Sequence, residues 1–128
     1  MAKVTGIGGV FFKAKDAEGL RAWYRERLGI APEADHPSTM FRWRHHDAPE
    51  REGATVWSVF DGESEYFGPR QQPYMINYRV DDMEALLAGL EAAGVEIAGR
   101  EDHEYGRFAW IVDPEGNRVE LWEPPADA

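Results

Sequence analysis

There is no cysteine in this chain of 128 residues, which removes disulfides, thiolate metal ligands and a cysteine nucleophile from consideration. Basic side chains are scarce. Fourteen Lys and Arg stand against 24 Asp and Glu, for a net charge of −10. A nucleic-acid binder displaces counterions with a basic footprint, and none is visible, so no nucleic-acid partner is expected. Long apolar runs are also missing: none approaches the ~20 residues that span a bilayer, so no membrane partner is expected. No apolar segment near the start reads as a signal peptide, which points to the cytoplasm. Against these deficits, 43% of the residues are hydrophobic, and 5 Trp, 5 Tyr and 6 Phe supply rings for a core and for the walls of a pocket. The length suits one domain of roughly 100–150 residues, and residues 1–128 are read as that domain.

The chain resembles itself. Shifted by 66 residues, the segment from Gly9, GVFFKAKDAEGLRA, falls on the segment from Met75, MINYRVDDMEALLA. Asp16 then meets Asp82, Glu18 meets Glu84, Leu20 meets Leu86 and Ala22 meets Ala88. In both copies an apolar or alternating run ends in Asp and a helical pattern begins. An offset of half the chain indicates a duplication rather than a long array.

Each half reads as strand, helix, then further strands. In the first, Val10–Ala14 is a predicted strand and Asp16 a helix cap. Leu20, Trp23, Tyr24 and Leu28 form an apolar stripe that Gly29 ends. In the second, Met75–Val80 is the strand and Asp81 with Glu84 has capping-box spacing. Met83, Leu86, Leu87 and Leu90 form the stripe and Gly94 the stop. Met40–His45, Ala54–Phe60, Phe108–Val112 and Arg118–Trp122 carry the aromatic and β-branched content of strands. Between the last two, Asp113–Asn117 is a hairpin signal: Pro114 presets φ, and Gly116 can adopt the left-handed conformation. Module one therefore spans about 4–60 and module two about 74–124. Asp61–Pro73 is the connector, and Pro124–Ala128 a frayed tail.

A duplicated unit ending in YGRFAWIVDPEGNRVELWEP resembles the vicinal oxygen chelate superfamily, the glyoxalase, bleomycin-resistance and extradiol-dioxygenase group. The likeness runs from Val4 to Pro124 and is most specific over Tyr105–Pro124. It implies an α+β fold in which two tandem βαβββ modules form an open, barrel-like curved sheet around a cleft. It also implies a homodimer, and leaves open whether the modules pair within one chain or across two. Metal enzymes of the group draw ligands from the opening and last strands of each module. Here the corresponding positions hold Gly9, Met75, Ser58 and Glu120, and only Glu120 is a ligand type suited to such metals. No metal cofactor is therefore expected, with a divalent metal as the alternative.

Strand alternation selects the cleft residues. Arg118, Glu120 and Trp122 share a face against Val119 and Leu121, and Met75, Asn77 and Arg79 alternate with Ile76, Tyr78 and Val80. Aromatic content adds Trp43 and Trp57, so Trp43, Trp57, Met75, Asn77, Arg79 and Glu120 are the expected ligand-binding set, with Phe11 and either Phe108 or Trp110 as further apolar walls. Arg79 would favour an anionic or carbonyl-bearing ligand. Glu120 and Tyr105 are the candidate acid/base residues, should there be catalysis. Adjacent on a strand, His45 and His46 face opposite ways, so at most one enters the cleft. His36 and His103 read as loop residues. Two functions follow from this set: a metal-independent small-molecule-binding protein of bleomycin-resistance type, or a glyoxalase-like lyase or dioxygenase working through a noncanonical metal site or through Glu120.

Overall fold

Asp16 opens α1 (Ala17–Leu28) by accepting a hydrogen bond from the Gly19 N–H at 2.9 Å, and Gly29 closes it at φ 71°. These are the ordinary cap and stop of a helix. Its counterpart α2 (Met83–Ala92) is capped by Asp82, which accepts from the Ala85 N–H. Asp81, the residue expected in that role, instead accepts from the Lys3 N–H. The computed structural model describes residues 2–32 and 38–126, so His36 lies outside the described residues.

The strands are β1 (Val4–Ala14), β2 (Thr39–His45), β3 (Ala48–Asp61), β4 (Tyr74–Val80), β5 (Gly99–His103), β6 (Gly106–Val112) and β7 (Arg118–Glu123). They form one curved, open sheet of order β2-β3-β1-β4-β7-β6-β5. In each half the opening strand runs parallel to the last one, β1 with β3 and β4 with β7. The halves join within the chain, where β1 and β4 pair antiparallel. Among the described residues two strands follow α1 and three follow α2. The additional one, β5, is implied by a βαβββ module but was not among the strands read from the residues, because its Arg-Glu-Asp-His run has no apolar alternation and lies exposed at the sheet edge.

Two apolar clusters separate the faces of the sheet. Val80, Met83, Leu87, Ala109 and Leu121 hold α2 against the outer face. Phe11, Phe67, Met75, Phe108 and Trp110 fill the inner, concave face. The alternation read in β4 and β7 thus holds: Val80 and Leu121 face α2, while Met75 and Glu120 face inward. No helix among the described residues is long and apolar enough to cross a membrane.

Candidate functional site

Strand register builds the floor of the cleft. Glu120 in β7 lies beside Asn77 in β4 and opposite Trp110 in β6. All three side chains turn to the concave face. Asn77 Nδ2 donates to Glu120 Oε1 at 2.6 Å, and Trp110 Nε1 donates to Oε2 at 2.8 Å. A third donor comes from the segment between β3 and β4, where the Tyr66 hydroxyl reaches Oε2 at 2.5 Å. Glu120 is only 1% exposed. Burying a bare carboxylate is prohibitive, whereas charge-assisted hydrogen bonds offset much of that cost. Three converging donors are complementary to the anion. Burial, foremost, together with the charge and hydrogen bond of Glu120, pushes the Tyr66 hydroxyl far above the ordinary tyrosine range, so Tyr66 stays a neutral phenol that donates to Glu120.

Tyr66 is held by rings. It stacks on Phe60 with centroids 5.6 Å apart and meets Trp110 edge-on at 6.2 Å, while its neighbour Phe67 is fully buried against Phe60. Sequence reasoning passed over Tyr66 as connector. The available signal was an adjacent aromatic pair, Tyr66-Phe67, inside a Pro- and Gly-containing polar stretch.

Above this floor lies a cleft of about 440 Å³. Phe11, Val56 and Phe60 wall it from the first half, with Tyr66; Phe108, Trp122 and Tyr105 wall it from the second. Phe108 and Trp122 stack at 6.1 Å. Gly8 lets the walls close, since a Cβ there would lie 2.2 Å from Asn77 Oδ1 and 3.0 Å from the Trp122 ring.

The expected site residues divide accordingly. Asn77 and Glu120 lie on the cleft floor, and Tyr105 stands on the rim, 60% exposed and stacked on His103. Met75 does not reach the cleft surface: it is fully buried among Phe11, Phe67, Phe108 and Trp110. Trp57 faces the other way. Its ring meets Tyr24 of α1 at 5.0 Å and Phe12 at 5.3 Å, because Val56 and Ser58 take the inward positions of β3. The expectation that Trp57 lines the cleft is therefore corrected. Trp43 and Arg79 are displaced from the Glu120 cleft as well. The Arg79 guanidinium lies between the rings of Trp43 and Trp122, at 5.0 and 5.3 Å, beyond the Trp122 wall. Burial, then Arg51, lowers its pKa. His45 is half-buried in that neighbouring space with Thr5 and Arg51, whereas His46 sits exposed in the turn. His103 is bonded to Glu101 at 2.8 Å.

The donor set does not fit the metal that the superfamily implies. Glu120 is surrounded by hydrogen donors rather than by lone pairs. Gly9 offers no side chain, Met75 is sealed in the core, and Ser58 Oγ accepts from Ser38 at 2.9 Å. Among the described residues no three His, Cys, Asp or Glu converge.

Comparison with known proteins gives a family and a fold. The family model of the glyoxalase-like domain matches residues 9–122. No curated protein matches the chain. Among solved structures, a methylmalonyl-CoA epimerase variant from Streptomyces coelicolor, in complex with 2-nitronate-propionyl-CoA, superposes with a TM-score of 0.68 at 16% identity, covering 97% of this chain and 100% of that one. Methylmalonyl-CoA epimerase from Mycobacterium tuberculosis gives 0.61 at 19% identity over 95% and 89%. The Mn(II)-bound glyoxalase from Novosphingobium aromaticivorans gives 0.57 at 19% over 96% of this chain and 40% of that one. Identities this low carry the fold alone.

Proposed function

The chain belongs to the glyoxalase-like domain family of the vicinal oxygen chelate superfamily, and from that premise we propose that it is a metal-independent small-molecule-binding protein. It holds, by sequestering or sensing, a flat apolar compound that carries a polar group. One observation carries this reading. The only carboxylate at a family ligand position, Glu120, is engaged by Tyr66, Trp110 and Asn77 under an aromatic cleft. The residue that would serve a metal serves the wall of a pocket instead. Concave apolar sites with a few placed polar groups are the usual form of small-molecule pockets.

A glyoxalase-like lyase or dioxygenase is the second reading. Its metal-free form would need Glu120 to exchange a proton with substrate. Two donors already occupy Oε2 and one occupies Oε1, which favours a positioning role. Placement in the cytoplasm as a homodimer belongs to the first reading, in keeping with a chain that has no cysteine to exploit an oxidising compartment.

The test uses 4-tert-butylphenol as an apolar aromatic probe that carries one polar group. Saturable quenching of tryptophan fluorescence is expected, unchanged after exhaustive chelation with EDTA, and abolished by Val56→Trp, which fills the cleft. Binding that vanishes on chelation and returns with one divalent metal per chain would overturn metal independence. Quenching that survives Val56→Trp would overturn the location.

A further inference from the structure

Among the described residues no Lys, Arg or His forms an ion pair with Glu120, and its three partners are all formally neutral. The nearby basic side chains lie elsewhere. The Arg118 guanidinium lies over the Trp110 ring at 5.3 Å, and Lys13 Nζ over the Phe67 ring at the same distance. No formal positive charge sits against the Glu120 carboxylate, which lines a cleft walled by aromatic rings. We propose that the cleft takes an organic cation, an aryl- or alkylammonium compound whose positive end sits between the rings above Glu120. This rests on the small-molecule reading above and adds the chemical class of the ligand.

Three further observations point the same way. First, the walls are rings: Phe60, Tyr66, Phe108 and Trp122 present π-faces or edges to one space, and the negative face of an aromatic ring attracts a cation within about 6 Å of its centroid. Second, a second carboxylate flanks the rim. Glu101 of β5, which is bonded to His103, pairs across the strands with Phe108, so the two side chains share a face beside the cleft. After burial, the charges that act on the Tyr66 hydroxyl are those of Glu120 foremost, then Glu101 and Tyr105, all in the same sense. Third, the proton order at the floor disfavours anions. The Tyr66 hydroxyl donates its hydrogen bond to Glu120 and so turns oxygen lone pairs, not a donor, toward a ligand. An anion entering the cleft would meet Glu120 and Tyr66 lone pairs; the buried guanidinium of Arg79 stands on the far side of Trp122.

The experiment is a charge series at constant shape: (4-hydroxyphenyl)trimethylammonium, 4-tert-butylphenol and 4-hydroxybenzenesulfonate, titrated by calorimetry in about 0.15 M salt, where attraction to distant surface charge is screened. The cation is expected to bind at least tenfold tighter than the neutral compound, and the sulfonate not to saturate. Glu120→Gln should bring the cation to the affinity of the neutral phenol and leave the phenol within twofold. A neutral compound that equals or exceeds the cation overturns the proposal, as does a folded Glu120→Gln protein that keeps the cation preference. Should Glu120→Gln fail to fold, the ranking on the unmodified protein decides. The N-methyl proton resonance of the bound cation is a second measure on that protein. Its expected upfield movement reports enclosure by rings, and an unmoved resonance counts against the proposal. If cation and phenol both saturate with equal affinity, charge selection falls and the small-molecule reading stands. If none of the three saturates, both fall.

Discussion

Glu120 organises its surroundings as much as it is held by them. With its side chain removed, Trp110 Nε1 and Asn77 Nδ2 would be left as donors in a region where both residues are almost fully buried. Each orphaned buried donor costs about 1–3 kcal/mol. Glu120→Ala is therefore expected to lower stability by roughly 2–6 kcal/mol, read from urea unfolding. A loss under about 1 kcal/mol would mean that water substitutes for the carboxylate and that the network contributes little. At this scale the sequence was half legible. Alternation in β4 and β7 placed Asn77 and Glu120 on one inward face, because each of these strands has one face against α2 and one toward the cleft. Trp57 was misplaced because it was chosen for its ring rather than by alternation, and both faces of β3 are apolar. Val56 and Phe60 meet the cleft cluster while Trp57, next to the inward Ser58, meets α1.

At the scale of elements, the cleft depends on how closely β1 approaches β4. The pairing shifts register between Ile7 and Gly9, and Gly8 lies at that irregularity. An irregularity of this kind re-aims side chains, and a side chain at Gly8 would collide with Asn77 and Trp122. Gly8→Ala should destabilise by about 1–3 kcal/mol, the usual cost of overpacking, and should weaken 4-tert-butylphenol binding by displacing Asn77 and Trp122 together. Calorimetry and ligand titration on one preparation check both. Unchanged affinity with lowered stability would mean that the strand shifts as a whole and spares the cleft. Helix ends and hairpins were readable because their signals are local. Asp16 and Gly29 bound α1 as expected, and Asp113 accepts from the backbone N–H groups of Glu115 and Asn117 within its turn. The segment carrying Tyr66 was not readable, because its fold is set by ring contacts made after the sheet closes rather than by local preference.

For the whole molecule, the two helices behave differently despite their matching sequences. Met83 and Leu87 of α2 are buried, whereas α1 buries none of its residues. Trp23 and Leu28 stand 50% and 60% exposed on it, and Phe41 of β2 is 46% exposed. Where such exposed apolar side chains form one patch, the surface is typically covered by association. Light scattering should give twice the chain mass of 14.5 kDa, and Trp23→Glu should shift the protein toward monomer. A monomer at tens of micromolar would contradict that expectation without touching the cleft.

The central claim is that a small molecule occupies the aromatic cleft over Glu120, and the indole N–H signals of the tryptophans test it directly. Trp110 donates to Glu120 on the floor, and Trp122 lines the wall, its N–H bonded to the Tyr105 carbonyl at 2.9 Å. Trp57 and Trp23 lie by α1, where each ring meets that of Tyr24 at about 5 Å. In a nitrogen–proton correlation spectrum titrated with 4-tert-butylphenol, the Trp110 and Trp122 signals should move saturably with one affinity while those of Trp57 and Trp23 stay in place. Saturable movement confined to Trp57 and Trp23, or none at all, would contradict the account.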